Sequence, residues 1–158
     1  MTRHPDRSLG VALVCQTGDS MAQTYEVPLA VQPEDIDEQG HVNNVVYLRW
    51  VQDAATAHWM ARATPEELVR WMWVVKRHEI DYLSSALPGD VLVARTWLGE
   101  TRGARFDRYV EILRGTDNEL LAKAKTTWVL LDAAAQRVAR VPKDFAARFR
   151  DDEWPSLK

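Results

Sequence analysis

The sequence predicts a single α+β domain in which an antiparallel sheet of about five strands wraps around one long helix. Three observations predict it: a mostly apolar helical segment near residues 43–61, strand-like runs that are grouped rather than alternating with helices, and short turn sequences between those runs. Segregation of helices and strands along a chain is typical of α+β domains. A length of 158 residues favours one domain, with a core that needs no disulfide.

The first strand is predicted near residues 24–32, where apolar and polar side chains alternate. A period of two is typical of a strand with one buried face. Pro28 lacks a backbone N–H donor, so we expect this strand to lie at an edge of the sheet or to carry a bulge. The polar residues 33–40 that follow predict a loop.

The long helix is predicted from about residue 43 to residue 61. Its polar side chains lie three and four residues apart and form one narrow stripe, made of Arg49, Gln52, Asp53 and Thr56. A helix that is apolar around most of its girth is expected to be buried on most sides. Within the stripe, the four-residue spacing of Arg49 and Asp53 favours an ion pair.

Downstream segments complete the predicted domain. Thr64-Pro65-Glu66-Glu67 combines a cap residue, a first-turn proline and a glutamate three residues after the cap, which indicates a short second helix. Pro142 begins a last short helix that carries Phe145 and Phe149 on one face. Between these helices, four strand-like runs separated by turn residues suit hairpins of an antiparallel meander; they are residues 73–83, 91–98, 106–113 and 120–131.

Composition excludes several functions. The net charge of −3 gives no basic footprint for nucleic acid. Cys15 is the only cysteine, which excludes an internal disulfide and a multi-cysteine metal site. No run approaches the ~20 apolar residues of a membrane-spanning helix, so we expect a cytoplasmic protein without membrane insertion. We assign residues 1–20 to an extension, 21–150 to the domain, with its first strand beginning at Met21, and 151–158 to a tail.

The loop that leads into the long helix carries the best candidates for chemistry, Asp35, Asp37 and His41. The start of a helix has unpaired N–H groups and partial positive charge, and such a terminus can stabilise the oxyanion formed by attack on a carbonyl. A nearby carboxylate can serve as a general base or a nucleophile. These parts suit acyl transfer to water, although the same residue types are common as caps and turn residues before a helix.

Residues around this loop leave more than one interpretation open. Asn43 and Asn44 are expected first as helix caps, and Tyr47 either points toward the site or packs in the core. Ser84 and Ser85 lack the G-x-S-x-G setting, which disfavours a serine hydrolase. Two basic clusters are either solvated or bind a phosphorylated carrier at the mouth of a pocket; they are Arg102, Arg105 and Arg108, then Arg137, Arg140 and Lys143.

Residues 35–50, DIDEQGHVNNVVYLRW, resemble the D-x-D-x-x-G-H-V-N-N-x-x-Y-x-x-W signature of hotdog thioesterases. That group includes the 4-hydroxybenzoyl-CoA thioesterases and the plant acyl-carrier-protein thioesterases. Ile80-Asp81-Tyr82 with Pro88-Gly89-Asp90-Val91, and residues 137–142, are similar to later parts of the family pattern. The resemblance covers about residues 23–149 and implies a single hotdog domain, the sheet-and-helix arrangement that the periodicity predicts.

The resemblance also implies a site and an assembly. It implies homodimers with active sites between subunits, often paired into tetramers, and no metal or redox cofactor; CoA or phosphopantetheine enters as part of the substrate. As in the 4-hydroxybenzoyl-CoA group, the second Asp of D-x-D, here Asp37, is the expected catalytic carboxylate. Backbone amides near Gly40 and Val42 are expected to polarise the thioester carbonyl, and His41, which matches the plant histidine, to support them.

The sequence departs from the plant enzymes at two places. Those enzymes have Asn two residues after the Asp and a Glu from a later strand, whereas Gln39 and Ser85 stand at these places here. Asp37 therefore remains the main candidate. Substrate contacts are expected from Asn43, Asn44, Tyr47, Ser85, Arg102 and Arg105.

Three functions remain open on this sequence. The leading one is hydrolysis of an acyl-CoA or acyl-carrier-protein thioester. A hotdog hydratase or dehydratase on the same carriers needs a different Asp–His spacing, and a non-catalytic acyl-thioester binder is compatible with the fold alone. The tryptophans either pack or narrow a pocket toward short or aromatic acyl groups; those considered are Trp50, Trp59, Trp71, Trp73, Trp97 and Trp128.

Overall fold

The computed structural model describes residues 24–149. The assignments of residues 1–20, Met21 and residues 151–158 lie outside the described residues. In chain order the elements are β1 (Tyr25–Ala30), a 3-10 turn (Pro33–Asp35), α1 (Asn44–Arg62), α2 (Pro65–Arg70), β2 (Trp71–Tyr82), β3 (Val91–Arg102), β4 (Arg105–Arg114), β5 (Leu120–Asp132), β6 (Arg137–Val138) and α3 (Phe145–Arg148).

The strands form one antiparallel sheet in the order β1-β3-β4-β5-β2, and the short β6 pairs with β5. β3, β4 and β5 form a meander joined by hairpins, as predicted. The prediction that β2 is the first strand of this meander is wrong, because β2 pairs with β5 and β3 pairs with β1 instead. β1 lies at one edge, which confirms the placement expected from Pro28. β2 lies at the other edge, so one side of this 12-residue strand has no neighbour among the described residues.

Helix α1 packs one face against the sheet. Its buried side chains are Val46, Tyr47, Trp50, Val51, Ala54, Ala55 and His58, and they join a core with inward-facing residues of β3, β4 and β5, including Leu92, Val110, Ile112 and Leu121. The expectation that α1 is buried on most sides is wrong for the single chain, because the sheet covers only one side. Val45 and Met60 on its other faces are 71% and 58% exposed.

A second apolar cluster lies at the C-terminal end of α1. Phe145 and Phe149 pack there against Trp59, with ring centroids within about 6.1 Å, and this confirms the last short helix predicted from Pro142. Leu98, Phe106 and Leu130 of the sheet complete the cluster. The two ends of α1 therefore differ in chemistry, with a polar loop before its first residue and an aromatic cluster around its last turns.

Among the described helices, none is long and apolar enough to cross a membrane.

We predict that Ile112→Ala lowers the free energy of unfolding by about 2–5 kcal/mol, because Ile112 is fully buried beneath α1 and the truncation leaves a cavity. Urea denaturation of the variant and wild type measures the difference. The matched control is Val138→Ala on exposed β6, which is expected to change the free energy by less than about 0.5 kcal/mol. Equal losses in both variants would contradict this placement of the core.

Candidate active site

The loop before α1 folds back on itself like a short hairpin. The Asn43 N–H donates to the Asp35 carbonyl at 2.9 Å, and the Asp37 N–H donates to the His41 carbonyl at 2.8 Å. Between these pairs, Ile36 and Val42 form an isolated antiparallel bridge. These contacts fix the position of the loop tip relative to the first turn of α1.

Asp35, the first aspartate of the motif, anchors this loop. It is buried, and its carboxylate accepts the Gln32 N–H at 2.9 Å and Arg49 Nη2 at 2.7 Å. Burial acts to raise the pKa of the Asp35 carboxyl, but the bonds from Gln32 and Arg49 outweigh it, so the pKa lies below its ordinary value of 3.8. The predicted Arg49–Asp53 pair is wrong, since Arg49 reaches the loop instead.

Asp37, the second aspartate, lies at the tip of the loop and is partly exposed. Its Oδ1 accepts the backbone N–H of Gln39 at 2.9 Å and that of His41 at 3.4 Å. Gly40 closes the turn with φ +79, a conformation that glycine adopts without strain. Among residues 24–149 the other carboxylate oxygen, Oδ2, has no hydrogen-bond partner, so it is available to a ligand.

The backbone amides of this loop are mostly engaged. The Gly40 N–H donates to the Asp37 carbonyl at 3.0 Å, and the Val42 N–H donates to the Ala86 carbonyl at 3.2 Å. The two amides predicted to polarise a carbonyl therefore already have acceptors within the chain. At Asn44, the first residue of α1, the N–H has no acceptor in the described part of the chain, and it carries the partial positive charge of the helix start.

Tyr47 is buried next to this loop and supports it through the segment around Ala86. Its side chain is 3% exposed, and its hydroxyl accepts the Ala86 N–H at 2.8 Å, while burial raises the pKa of this hydroxyl above its ordinary value. Its ring lies edge-on to those of Trp50 and Tyr82. The expectation that Tyr47 contacts substrate is corrected by this burial: it holds the segment around Ala86 that in turn holds Val42.

The remaining polar residues predicted at the site are exposed. Asn43 is the N-cap of α1, with its Oδ1 accepting the Val45 N–H at 3.0 Å, which confirms its role as a cap. The His41, Asn44 and Ser85 side chains are exposed on the same side of the molecule as Asp37, and the Ser85 carbonyl accepts from Arg114 Nη2 at 3.2 Å.

Arg102 and Arg105 lie at the opposite end of the sheet. They flank the β3–β4 hairpin, whereas the Asp37 loop contacts Ala86, five residues before β3 begins. At about 3.3 Å per residue, the length of β3 separates the two places by roughly 35 Å. Within one chain the structure does not bring these arginines to Asp37. They line a surface cleft of about 490 Å³ together with Lys76, Arg77 and Lys125, and with the acidic residues Glu79 and Asp107.

Sequence reasoning missed a buried polar pair at the C-terminal end of α1. Arg108, expected to be a solvated surface residue, is 2% exposed, and its Nη1 donates to His58 Nδ1 at 2.9 Å and to Thr96 Oγ1 at 3.0 Å. The alternation of Phe106, Arg108, Val110 and Ile112 on the inward face of β4 carries the signal, because a period of two places Arg108 among core residues.

Comparison with known proteins identifies the class. Residues 31–149, well over half of the chain, match the family model described as the thioesterase-like superfamily. The chain belongs to this superfamily, and the hotdog fold predicted from the sequence is confirmed.

Three relatives illustrate the match. The acyl-CoA thioesterase YbgC of Haemophilus influenzae is 28% identical over 129 residues, which is 79% of this chain and 93% of that protein. A thioesterase from Thermus thermophilus, solved with coenzyme A and Zn, is 28% identical with a TM-score of 0.68, covering 79% of this chain and 90% of its own. The 1,4-dihydroxy-2-naphthoyl-CoA thioesterase Slr0204 from Synechocystis, 20% identical, shares the fold with a TM-score of 0.71 over 84% of this chain and 100% of its own.

We predict that Asp35→Asn destabilises the protein in a pH-dependent way. A carboxyl whose pKa is lowered by folding contributes stability above its unfolded pKa, and that contribution is lost as the pH falls through the folded value. The wild type is therefore expected to exceed the variant by about 1–3 kcal/mol at pH 7, and the gap is expected to shrink below about pH 4.

Urea unfolding of both proteins between pH 7 and pH 3 measures this gap. Asp53→Asn is the matched control, because Asp53 is an exposed acid on α1 that forms no ion pair with a described residue. A gap between wild type and Asp35→Asn that stays constant with pH would show that the ionised carboxylate is not what stabilises the loop.

Proposed function

We propose that this protein hydrolyses acyl thioesters of coenzyme A, with Asp37 as the catalytic carboxylate. The observation that carries the proposal is the geometry at the start of α1: Asp37 Oδ2 has no partner among the described residues and stands in the loop that ends at the unengaged Asn44 N–H. A carboxylate beside a helix start is suited to attack on a carbonyl, since the amide stabilises the oxyanion while the carboxylate drives the attack.

The reaction divides between two groups. Asp37 either takes a proton from water, whose oxygen then attacks the thioester carbon, or attacks that carbon itself to give an anhydride that water opens. In both routes the carbonyl oxygen becomes an oxyanion that the Asn44 N–H stabilises. Collapse of this intermediate breaks the carbon–sulfur bond. The departing thiolate takes the proton that Asp37 holds in the first route, and a proton from water in the second. His41, exposed beside the loop, supports the reacting carboxylate.

The relatives support the substrate class. The YbgC protein is described as an acyl-CoA thioesterase, and the Thermus protein was solved with coenzyme A. Coenzyme A carries several phosphates, and the cleft sets five cations against the two carboxylates of Glu79 and Asp107. This net positive lining suits phosphates. An acyl-carrier protein would present the same thioester on phosphopantetheine and is the alternative carrier.

We also propose that the protein is a homodimer paired through β2. Within residues 24–149 this 12-residue strand has no neighbour on one side, and sheet edges of that length are normally covered. Met72 and Val74 are 38% and 43% exposed on it, so a second β2 lying antiparallel would cover both apolar side chains and backbone groups. If the two strands overlap along their whole length, Trp71 lies opposite Tyr82 of the partner subunit.

Pairing of the β2 strands would shorten the distance between Asp37 and the cleft of Arg102 and Arg105 that is seen in one chain. The Tyr82 hydroxyl donates to the Asn44 carbonyl at 3.2 Å, so the end of β2 lies beside the start of α1. Antiparallel pairing places the start of the partner's β2 beside that end. The partner's basic cleft adjoins the middle of its own β2 and therefore lies closer to Asp37 along the paired strands than the far end of the sheet does. A tetramer would add a second dimer without changing this site.

We predict that Asp37→Asn lowers kcat/KM by about 10²–10⁴-fold on every ester that the wild type hydrolyses. Asparagine keeps an Oδ1 to accept the Gln39 and His41 amides, so the thermal midpoint is expected to stay close to wild type. Thiol release from short, long and aromatic acyl-CoA esters measures this, with the signal of the protein's own Cys15 subtracted. Glu38→Gln, at the exposed neighbour of Asp37, is the control that keeps activity.

An Asp37→Asn enzyme with full activity would exclude Asp37 as the catalytic carboxylate. Thiol release from none of the esters, combined with tight binding of acyl-CoA, would favour the non-catalytic binder instead.

We predict that the double variant Met72→Asp/Val74→Asp is a monomer with little activity, because in the full overlap the new carboxylates lie opposite Asp81 of the partner subunit and Glu79 of the partner subunit, and like charges across a strand pair oppose the pairing of β2 with its copy. Light scattering coupled to size exclusion measures the mass, and circular dichroism checks the fold. Val138→Asp, on the exposed β6, is the control and is expected to leave the mass of the dimer unchanged. A wild-type protein that is monomeric at all concentrations would contradict the paired edge.

A further inference from the structure

A cavity of about 280 Å³ lies at the C-terminal end of α1, away from the Asp37 loop of the same chain. Its walls come from α1, β2, β4, β5 and α3, and most are aromatic: Trp59, Trp71, Trp73, Phe106, Trp128 and Phe145. Arg108 is the one charged residue among its lining residues within the described chain. An engineered cavity about half this size holds benzene, so the space suits several methylene groups or a ring together with a polar end.

Arg108 presents hydrogen-bond donors to this cavity without enough acceptors. Both of its hydrogen bonds to described residues leave from Nη1, while Nη2 forms none with a described residue. The Arg108 Nε and the Trp128 Nε1 are also without a partner, but they are fully buried and have no surface open to the cavity. Buried donors are rarely left unpaired in native proteins. A guanidinium nitrogen on the cavity wall without an acceptor among the described residues indicates a ligand that accepts hydrogen bonds.

The charge of Arg108 is also uncompensated. Burial alone lowers the pKa of Arg108 to about 9, which leaves the guanidinium mostly protonated at neutral pH, and no described carboxylate forms an ion pair with it. His58 cannot offset the charge, because burial and then the charges of Arg108 and Arg62 lower the pKa of His58 to about 3, so the ring is neutral and accepts from Arg108. A buried cation without a counter-ion is costly unless an anion joins it.

We propose that this cavity binds the far end of the acyl group and selects acyl groups that end in a carboxylate, the monothioesters of dicarboxylic acids. The carboxylate lies against the Arg108 guanidinium and accepts from its Nη2. The indole and phenyl walls cover the methylene groups that join it to the thioester. A neutral methyl end leaves this donor and its charge without a partner, which is the situation in which enzymes discriminate most strongly between substrates.

This inference rests on the proposed hydrolase function and on the paired β2 strands. In one chain, 11 residues of α1 separate Ala55 at the cavity from Asn44 at the reacting end, or roughly 16 Å of helix. In the dimer, the start of the partner's β2, which carries the cavity residues Trp71 and Trp73, lies beside the end of this chain's β2. An acyl group on Asp37 of one subunit therefore extends into the cavity of the other.

The test compares two esters of equal carbon number, hexanoyl-CoA and the hexanedioic acid monothioester of CoA. For wild type we expect kcat/KM to be at least ~10-fold higher with the carboxylate-ended ester. Arg108→Met is expected to remove or reverse this preference, with Arg108→Lys intermediate because it keeps the charge but not the planar donors. If the wild-type kcat/KM for hexanoyl-CoA equals or exceeds that for the hexanedioic acid monothioester, this result alone overturns the proposal.

Calorimetric binding of free hexanedioate and free hexanoate to wild type separates this proposal from the proposed function. Binding of hexanedioate but not hexanoate, with no thiol release from any ester, would retain the carboxylate site and reject the hydrolase. Hydrolysis of both esters without selective hexanedioate binding would retain the hydrolase and reject the site.

The chain's own acidic residues Asp151, Asp152 and Glu153 follow α3 in the sequence and are the competing source of a carboxylate. The variant Asp151→Asn/Asp152→Asn/Glu153→Gln tests them. Hexanedioate that binds this variant but not wild type would show that the chain supplies its own anion, and that result overturns the proposal. Equal binding to both proteins supports it.

Discussion

The packing of α1 against one face of the sheet is the constraint on which the other features depend. The helix is 19 residues long, about 28 Å, and it packs seven buried side chains against the sheet. Its start lies beside the segment around Ala86, and its last turns lie in the aromatic cluster with Phe145 and Phe149. The polar loop and the aromatic cluster of one chain are thus separated by most of the length of the helix.

The reacting end is ordered by polar contacts that its own sequence supplies. Asp35 is buried against Arg49, and this pair, together with the bridge between Ile36 and Val42, fixes where the tip of the loop stands. Asp37 uses one carboxylate oxygen to close the turn, and its other oxygen has no partner among the described residues. The two aspartates of the motif therefore differ in their surroundings, since Asp35 is buried against Arg49 and Asp37 is partly exposed at the tip.

The spacing of apolar residues and the cap and turn residues predicted many of the helices and strands. Alternation predicted the strands, Pro28 predicted the edge position of β1, and the cap residues predicted where α1 and α2 begin. The ion pair of Arg49 was assigned to Asp53 because spacing along a helix reports only local neighbours, whereas Asp35 reaches Arg49 through the fold of the loop. Tyr47 was ambiguous for the same reason: its partner, the Ala86 N–H, is 39 residues away. Arg108 was predicted to be at the surface because arginine is usually exposed, although the alternation along β4 places it on the buried face. The donors without acceptors near the cavity could not be predicted, because they depend on three-dimensional packing and not on the spacing of residues along the chain.

The central claim is that each active site combines Asp37 of one subunit with the aromatic cavity of the other, and mixed dimers test it most directly. Asp37→Asn removes the carboxylate, and Thr56→Trp fills the cavity from α1; each homodimer is expected to be nearly inactive. Co-expression of the two chains with different affinity tags gives hybrids in which one of the two sites has both parts intact. An equal mixture is expected to recover about a quarter of wild-type activity, since half of the dimers are hybrids with one working site. No recovery, with hybrid dimers present, would show that both parts act within one chain and would contradict the account.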